Sequence, residues 1–369
     1  MLKKIIFFFL MLLSLYSCPI QILGQSKLSA IQRADILLKY NQIFHFEDHR
    51  AKVWSHEFKV GYIDTDTGEE IIPCKYKYGN SFSNGVASVR DELGHIFLID
   101  LKGNVVAKLD STIKVETDFK EGMAIVSSKI DNVESYGFID KNGYIVIPCQ
   151  YRDVSLQGFC DGLVPVKNKN NKYGYIDKTG KTIISFVFDS ATDFYHGKAI
   201  VSYQNNYYII DKMSNVIKEL TGLYNVHKFT DGLARAYKNG KCGYVNLDGE
   251  VVIPFIYDMS PIVFRNGYAS IKRDGLVGVI DLAGKVTSPI KYRSIMPFSK
   301  FGLTEAYINN PDIDGESLCG VIDASGNIIV PFKYFSCSIS DDLKLIKART
   351  CDSIYIYDIK GRLIKKVKK

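Results

Sequence analysis

Tyr173-Gly174-Tyr175-Ile176-Asp177-Lys178-Thr179-Gly180-Lys181 is the phrase that decides the fold, because the chain repeats it in altered form along most of its length. Related phrases end in an acidic or amide residue at Asp64, Asp100, Asp140, Asp177, Asp211, Asn246, Asp281, Asp323 and Asp358. The intervals are 36, 40, 37, 34, 35, 35, 42 and 35 residues. A period near 36 marks a tandem-repeat architecture, in which one supersecondary unit stacks on copies of itself.

Each unit has three parts. The first reads Phe-x-x-Gly-x-Ala-x-Val, as at Phe82 to Val89 and Phe194 to Val201. Its apolar residues alternate with variable ones, the pattern of a half-buried strand. The second is the Gly-Tyr-Ile-Asp strand, reached through tight turns such as Asn239-Gly240 and Asp274-Gly275. The third is an apolar run with proline, as in Ile145-Val146-Ile147-Pro148 and Val251-Val252-Ile253-Pro254. It follows an Asp-x-x-Gly link whose residues suit a turn. Proline lacks a ladder donor, so it ends the strand or sits on an edge.

One unit is therefore a three-stranded antiparallel meander, and the fold class is all-β. Open, solenoid-like stacking of about nine units is favoured over a closed β-propeller, because a propeller blade needs four strands. The segment from Tyr257-Asp258 to Phe264 could hold a short fourth strand, which keeps the propeller as the alternative.

Lys172 to Lys181, with Ile-Pro and Tyr-Asp downstream, resembles the WG (KWG) repeat family of bacterial proteins, and the resemblance covers residues 58–369. The tryptophan is replaced throughout, by Val60, Tyr136, Tyr173, Cys242, Val277 and Cys319, all apolar or aromatic. The resemblance implies a β-rich scaffold, often on exported proteins, with a binding role. It carries no catalytic residue to transfer.

Export is also read from the start of the chain. Lys3 and Lys4 precede a mostly apolar run from Ile5 to Tyr16, the plan of a signal peptide. Leu15-Tyr16-Ser17-Cys18 resembles a lipobox, which would make Cys18 a lipidated residue and residues 1–17 a lipoprotein signal. The other cut lies before Gln25 and assigns residues 1–24 to the signal. The expected location is the periplasm, the outer membrane surface or the medium, with membrane contact only through a lipid at Cys18.

Residues 25–57 are expected to form a helical cap, because Leu28, Ile31, Ile36, Leu37, Tyr40, Ile43 and Phe44 approximate one helical face. The net charge of +7 is spread over scattered lysines apart from a basic C-terminal tail, which argues against a nucleic-acid stripe. Of the eight cysteines, Cys74 and Cys149 share one repeat position, and Cys242 and Cys319 share another. Both are core slots filled by a small hydrophobe. Cys337 and Cys351 are the one pair placed for a disulfide.

His45 and His49, four apart on an expected helix turn, are weighed as a zinc pair and set aside for want of a third ligand. Asp64 to Glu69 and Asp312 to Glu316 are weighed as calcium loops and set aside for want of enough oxygens. No nucleophile elbow, phosphate loop or dinucleotide fingerprint occurs in the sequence. Tyr62, Tyr175 and Tyr244 are read as packing between units rather than as a binding surface. The expectation is a non-enzymatic scaffold for protein or glycan partners at the cell envelope, without cofactor, metal or catalytic residues; the alternative is a hydrolase of envelope polymers.

Overall fold

The computed structural model describes residues 28–130, 132–258, 263–313 and 315–369. The signal segment, its cleavage sites and Cys18 lie outside the described residues.

The described residues open with helix α1 (Ala30–Lys39). Ser29 caps it: its hydroxyl accepts from the Gln32 backbone N–H, and the Gln32 side chain accepts from the Ser29 N–H. The helix stops there. Residues expected to continue it form β1 (Gln42–Glu47) and β2 (Arg50–Trp54), because Phe44 to Glu47 and Ala51 to Val53 alternate at period two. With β3 (Val60–Asp64) and β4 (Glu70–Tyr76) they complete a four-stranded antiparallel sheet, in chain order across the sheet. The cap is thus shorter than residues 25–57, and the repeat array begins before residue 58.

Among the described residues there are nine such sheets, one per repeat. We number them as blades 1 to 9, spanning residues 42–76, 78–108, 113–151, 153–188, 190–219, 229–257, 268–292, 294–334 and 336–368. Eight have four strands and blade 7 has three. There a bridge from Asp258 to Lys272 marks the position of the first strand, next to residues outside the described set.

Blade 9 packs on blade 1. Ala34 of the helix and Ile43 and Phe46 of β1 join Leu343, Leu345 and Ile356 in one apolar cluster. His45 Nδ1 lies 2.8 Å from Asp342 Oδ2. The ring is closed, so the expected open stack is replaced by its alternative, a nine-bladed β-propeller. The physical reason is the fourth strand. It is as short as two residues, as at Asp153–Val154 or Ser190–Ala191, and is too brief to leave a periodic signal.

The repeat phrases now have physical roles. Proline does not end the third motif: Glu70–Tyr76 runs through Pro73, and Ile145–Tyr151 runs through Pro148. This strand is the outer edge of its blade, where a missing N–H costs no ladder bond and discourages pairing with another chain. The glycine of Gly-Tyr-Ile-Asp is needed because the outer strand bulges against it. A Cβ on Gly137 would sit 2.4 Å from the Ile147 carbonyl, and one on Gly174 would sit 2.7 Å from that of Ile184.

Adjacent blades are joined by aromatic pairs. Tyr62 meets Phe82 of the next blade edge-on at 4.7 Å, Tyr175 meets Phe194 at 4.8 Å and Tyr244 meets Phe264 at 4.9 Å. All six rings are buried. The Tyr62 and Tyr175 hydroxyls donate to the Asn80 and Thr192 carbonyls of the following blade, at 2.6 and 2.8 Å. These tyrosines pack between repeats, as read from the sequence.

Candidate functional site

The short first strand of each blade, and the turn that follows it, bring polar residues from successive repeats together. One cavity of about 710 Å³ spans blades 1 to 4. Glu47 comes from β1 and Lys52 from the middle of β2; Asn80 and Ser83 come from blade 2, and Glu116 and Asp118 from blade 3. A second, of about 440 Å³, spans blades 4 to 6 and includes Asp153, Tyr173, Asp193, His227 and Lys228.

The first cavity is organised around Asp118. Its carboxylate is open to the cavity but enclosed by protein on most sides, and this enclosure raises its pKa against the opposing pull of Lys52 and the Ser81 N–H. Ser81 N–H donates to Asp118 Oδ1 at 2.7 Å, from the neighbouring blade. Burial lowers the pKa of Lys52, with Asp118 opposing. Burial also raises that of Glu47, whose Oε1 accepts from the Ser83 hydroxyl at 3.0 Å. Asp118 and Glu47 therefore each have a partner in blade 2, which ties blades 1, 2 and 3 across the cavity, whereas Glu116 bonds to Lys114 and Ser127 of its own blade.

In the second cavity, Asp153 accepts from the Val154 N–H at 2.9 Å and from the Tyr173 hydroxyl. His227 Nε2 lies 3.0 Å from Arg235 Nη2. Arginine can only donate, so Nε2 is the acceptor and Nδ1 carries the proton. Burial and then the Arg235 charge hold His227 below its usual pKa, which keeps the ring neutral. Lys228 Nζ stands 3.4 Å from Asp193 Oδ2.

Sequence reasoning missed these residues. Lys52, Arg235, Glu305 and Lys347 occupy one repeat position, the middle of the second strand, where other blades place Ser88, Ile125 or Ile200. A charge on a buried strand in a single unit looks like drift. Only the register of the strands identifies the position as one that faces the neighbouring blade.

The residues singled out from the sequence are dispersed. His45 lies in β1 and His49 in the turn after it, not on a helix. Asp64 is a turn residue: its Oδ1 accepts from the N–H groups of Asp66 and Thr67 at 2.9 and 3.0 Å, and its Oδ2 pairs with Arg50 at 2.8 Å. The other expected calcium loop includes Asp314, which is outside the described residues. Among the described residues no three His, Cys, Asp or Glu side chains gather as a metal would require. None of the seven described cysteines is in a disulfide. Cys242 and Cys319 are buried in the core, Cys74 and Cys149 are half-buried, Cys337 is in the first strand of blade 9 and Cys351 is exposed. Cys337 and Cys351 are not bonded.

The comparisons with known proteins follow from this geometry. The pattern of the WG containing repeat matches residues 61–92, 136–173, 173–208, 243–276, 278–310 and 320–338, together just over half of the chain. No curated protein matches the sequence. Among solved structures, one described as the eukaryotic initiation factor overlaps with a TM-score of 0.56 and 11% identity, covering 84% of this chain and 93% of its own. BamB from Moraxella catarrhalis overlaps with a TM-score of 0.41 and 12% identity, over 77% of this chain and 94% of its own. Hsv2 from Kluyveromyces lactis reaches 0.34 and 10% identity, over 55% and 75%. The first likeness concerns the fold alone, and the other two are too loose to carry an argument. The chain belongs to the WG containing repeat family.

Proposed function

We propose that this WG-repeat propeller is a non-enzymatic scaffold, exported to the cell envelope, that presents its inter-blade cavities to protein or glycan partners. One observation carries the reading. The cavity across blades 1 to 4 is walled by side chains from successive repeats, and two of its acids, Glu47 and Asp118, accept from donors of the adjacent blade. Such a wall offers many modest contacts, which suits recognition of an extended partner. Export rests on the basic and apolar start from Lys3 to Tyr16, and anchoring on Cys18 as a lipid acceptor.

The test is a pull-down of envelope extract with the purified chain, with identification of what is retained. A defined partner that is retained by the native chain and released by Asp118→Ala supports the reading. Retention of nothing leaves a structural role.

A hydrolase is the second reading, and one feature favours it. Glu47 and Asp118 share a cavity and both have raised pKa values, burial being the first cause in each. Turnover of a wall polymer that Glu47→Gln abolishes would establish it.

A further inference from the structure

We propose that the cavity across blades 4 to 6 binds a neutral, hydroxyl-rich ligand the size of a sugar ring, with Asp193 as its principal acceptor. The inference deepens the scaffold reading by naming a site and a ligand class, and it rests on that reading.

Two segments of the chain match in sequence. Thr117-Asp118-Phe119 in blade 3 and Thr192-Asp193-Phe194 in blade 5 hold the same repeat position. Asp118 is satisfied by the Ser81 N–H, which precedes the repeat phenylalanine of the blade before it. The counterpart of Ser81 for Asp193 is Gly158, which precedes Phe159. Its N–H is turned away and donates to the Ser155 carbonyl at 2.9 Å. Asp193 is 7% exposed, and its Oδ1 has no hydrogen-bond partner. Among the described residues the one hydrogen-bond partner of its carboxylate is Lys228, whose Nζ stands 3.4 Å from Oδ2. A carboxylate offers about four acceptor sites, and a buried one left this bare is costly. Oδ1 is shut off from solvent, so the lone pairs left for a ligand are those of Oδ2 beyond its long bond to Lys228.

The surroundings select the ligand. Lys228 already balances the Asp193 charge, which disfavours a second cation. The neutral His227 has Nδ1–H as a donor, Asp153 adds a further acceptor, and Tyr173 gives the cavity an aromatic side. Donors and acceptors set around an aromatic ring, in about 440 Å³, match a ring of hydroxyls with one apolar face.

The experiment titrates the full purified chain with glucose, N-acetylglucosamine and putrescine, followed by calorimetry. At least one sugar is expected to bind saturably. Asp193→Ala should weaken that sugar by about 10- to 100-fold, the worth of a hydrogen bond to a charged group. Glu57→Ala, exposed and outside both cavities, should leave it unchanged. Thermal melting checks that each variant folds. Should Asp193→Ala not fold, Asp193→Asn keeps the shape and removes the charge, and a loss of about tenfold is expected. Three results overturn the proposal: no saturable sugar binding, sugar binding indifferent to Asp193, or tighter binding of putrescine than of either sugar. A partner retained from envelope extract alongside a negative sugar titration would remove this site alone. Sugar binding with no partner retained would remove only the partner reading.

Discussion

The seam between blades 4 and 5 and the seam between blades 9 and 1 solve the same problem by different means. At the first, the Tyr175 and Phe194 rings meet tilted, 4.8 Å apart, and Asp161 Oδ2 accepts the Gly197 N–H at 2.7 Å. The same carboxylate-to-glycine bond, also at 2.7 Å, recurs from Asp48 to Gly85 and from Asp231 to Gly267. At the closing seam the repeat runs out, and residues outside the pattern take over. Helix α1 wedges Ala34 between Leu343, Leu345 and Ile356. Its Ile36 meets the turn at Gly68, where other blades bring an outer strand, as Ile147 does at Gly180. Arg33 donates to the Leu343 carbonyl at 3.0 Å, and Lys365 pairs with Asp35. The lesson is that repeats can write their own interfaces, whereas closing a ring needs two ends that differ from the rest.

The largest expected effect breaks the ordinary seam. Phe194→Ala removes a fully packed ring from the blade 4–5 interface and should cost about 3–5 kcal/mol. Tyr175→Phe keeps the ring and loses only its bond to the Thr192 carbonyl, for about 1 kcal/mol. Urea denaturation of both variants measures the ratio. A costlier Tyr175→Phe would mean that the hydroxyl, not the ring, holds the blades.

Next comes the closing seam. Ala34 is fully buried, and Ala34→Asp would place an unpaired charge against the last blade, at a cost of about 2–4 kcal/mol. Hydrogen exchange should quicken first in blades 1 and 9 while blades 4 and 5 stay protected. Uniform loss of protection would show that the ring opens only by unfolding as a whole.

These two seams also explain what the sequence made legible. The strands, their antiparallel order and the packing role of Tyr62, Tyr175 and Tyr244 recur with the period, so one unit reads the others. Closure did not recur. The short first strands, such as Ser190–Ala191, carry too few residues for an alternation to register. The cavity residues were hidden for the same reason. Asp193 looks like Asp118 in sequence, and they part where the Gly158 N–H bonds within its own turn to Ser155 while the Ser81 N–H reaches Asp118. The helix was legible as an amphipathic segment, but its end was not, because Ile43 and Phe44 fit a helical face as well as a strand.

A third comparison sharpens the turns within ordinary seams. Gly143 has φ +85°, and a Cβ there would lie 2.8 Å from that of Ala107 in the preceding blade. At Gly180 the nearest atom, on Ile147, would be 3.4 Å away. Gly143→Val should therefore cost about 2–3 kcal/mol and Gly180→Val about 1–2, the second being mainly the left-handed backbone. Asp140→Asn should leave stability unchanged within error. Asp140 Oδ1 accepts from the Asn142 and Tyr144 N–H groups at 2.9 Å each, and Asn246 makes the matching bonds to Asp248 and Glu250 at 3.0 and 2.9 Å. Chemical denaturation ranks the three, and an aspartate change costlier than the glycine changes would point to a role for the carboxylate beyond the turn.

The smallest effect separates the two seams by pH. His45 bonds to Asp342, and this bond is the first cause that lifts its pKa above 6.5; burial opposes it, as does Lys300, and Glu47 adds to the lift. Burial pushes Asp342 up, but His45 and Lys300 hold it below its usual value. Because His45 is higher in the folded chain, its contribution is complete below pH 6.5 and fades as the pH rises through the folded value. The imidazole is largely exposed, so solvent screening limits the gain to a few tenths of a kcal/mol. Melting temperatures at low salt from pH 5 to pH 8 should show a small decline in the native chain that His45→Ala removes. Phe194→Ala, which damages a seam that no histidine–carboxylate bond crosses among the described residues, should keep that decline. If His45→Ala leaves the slope intact, another group titrates in this range and the closing seam is held by the helix alone.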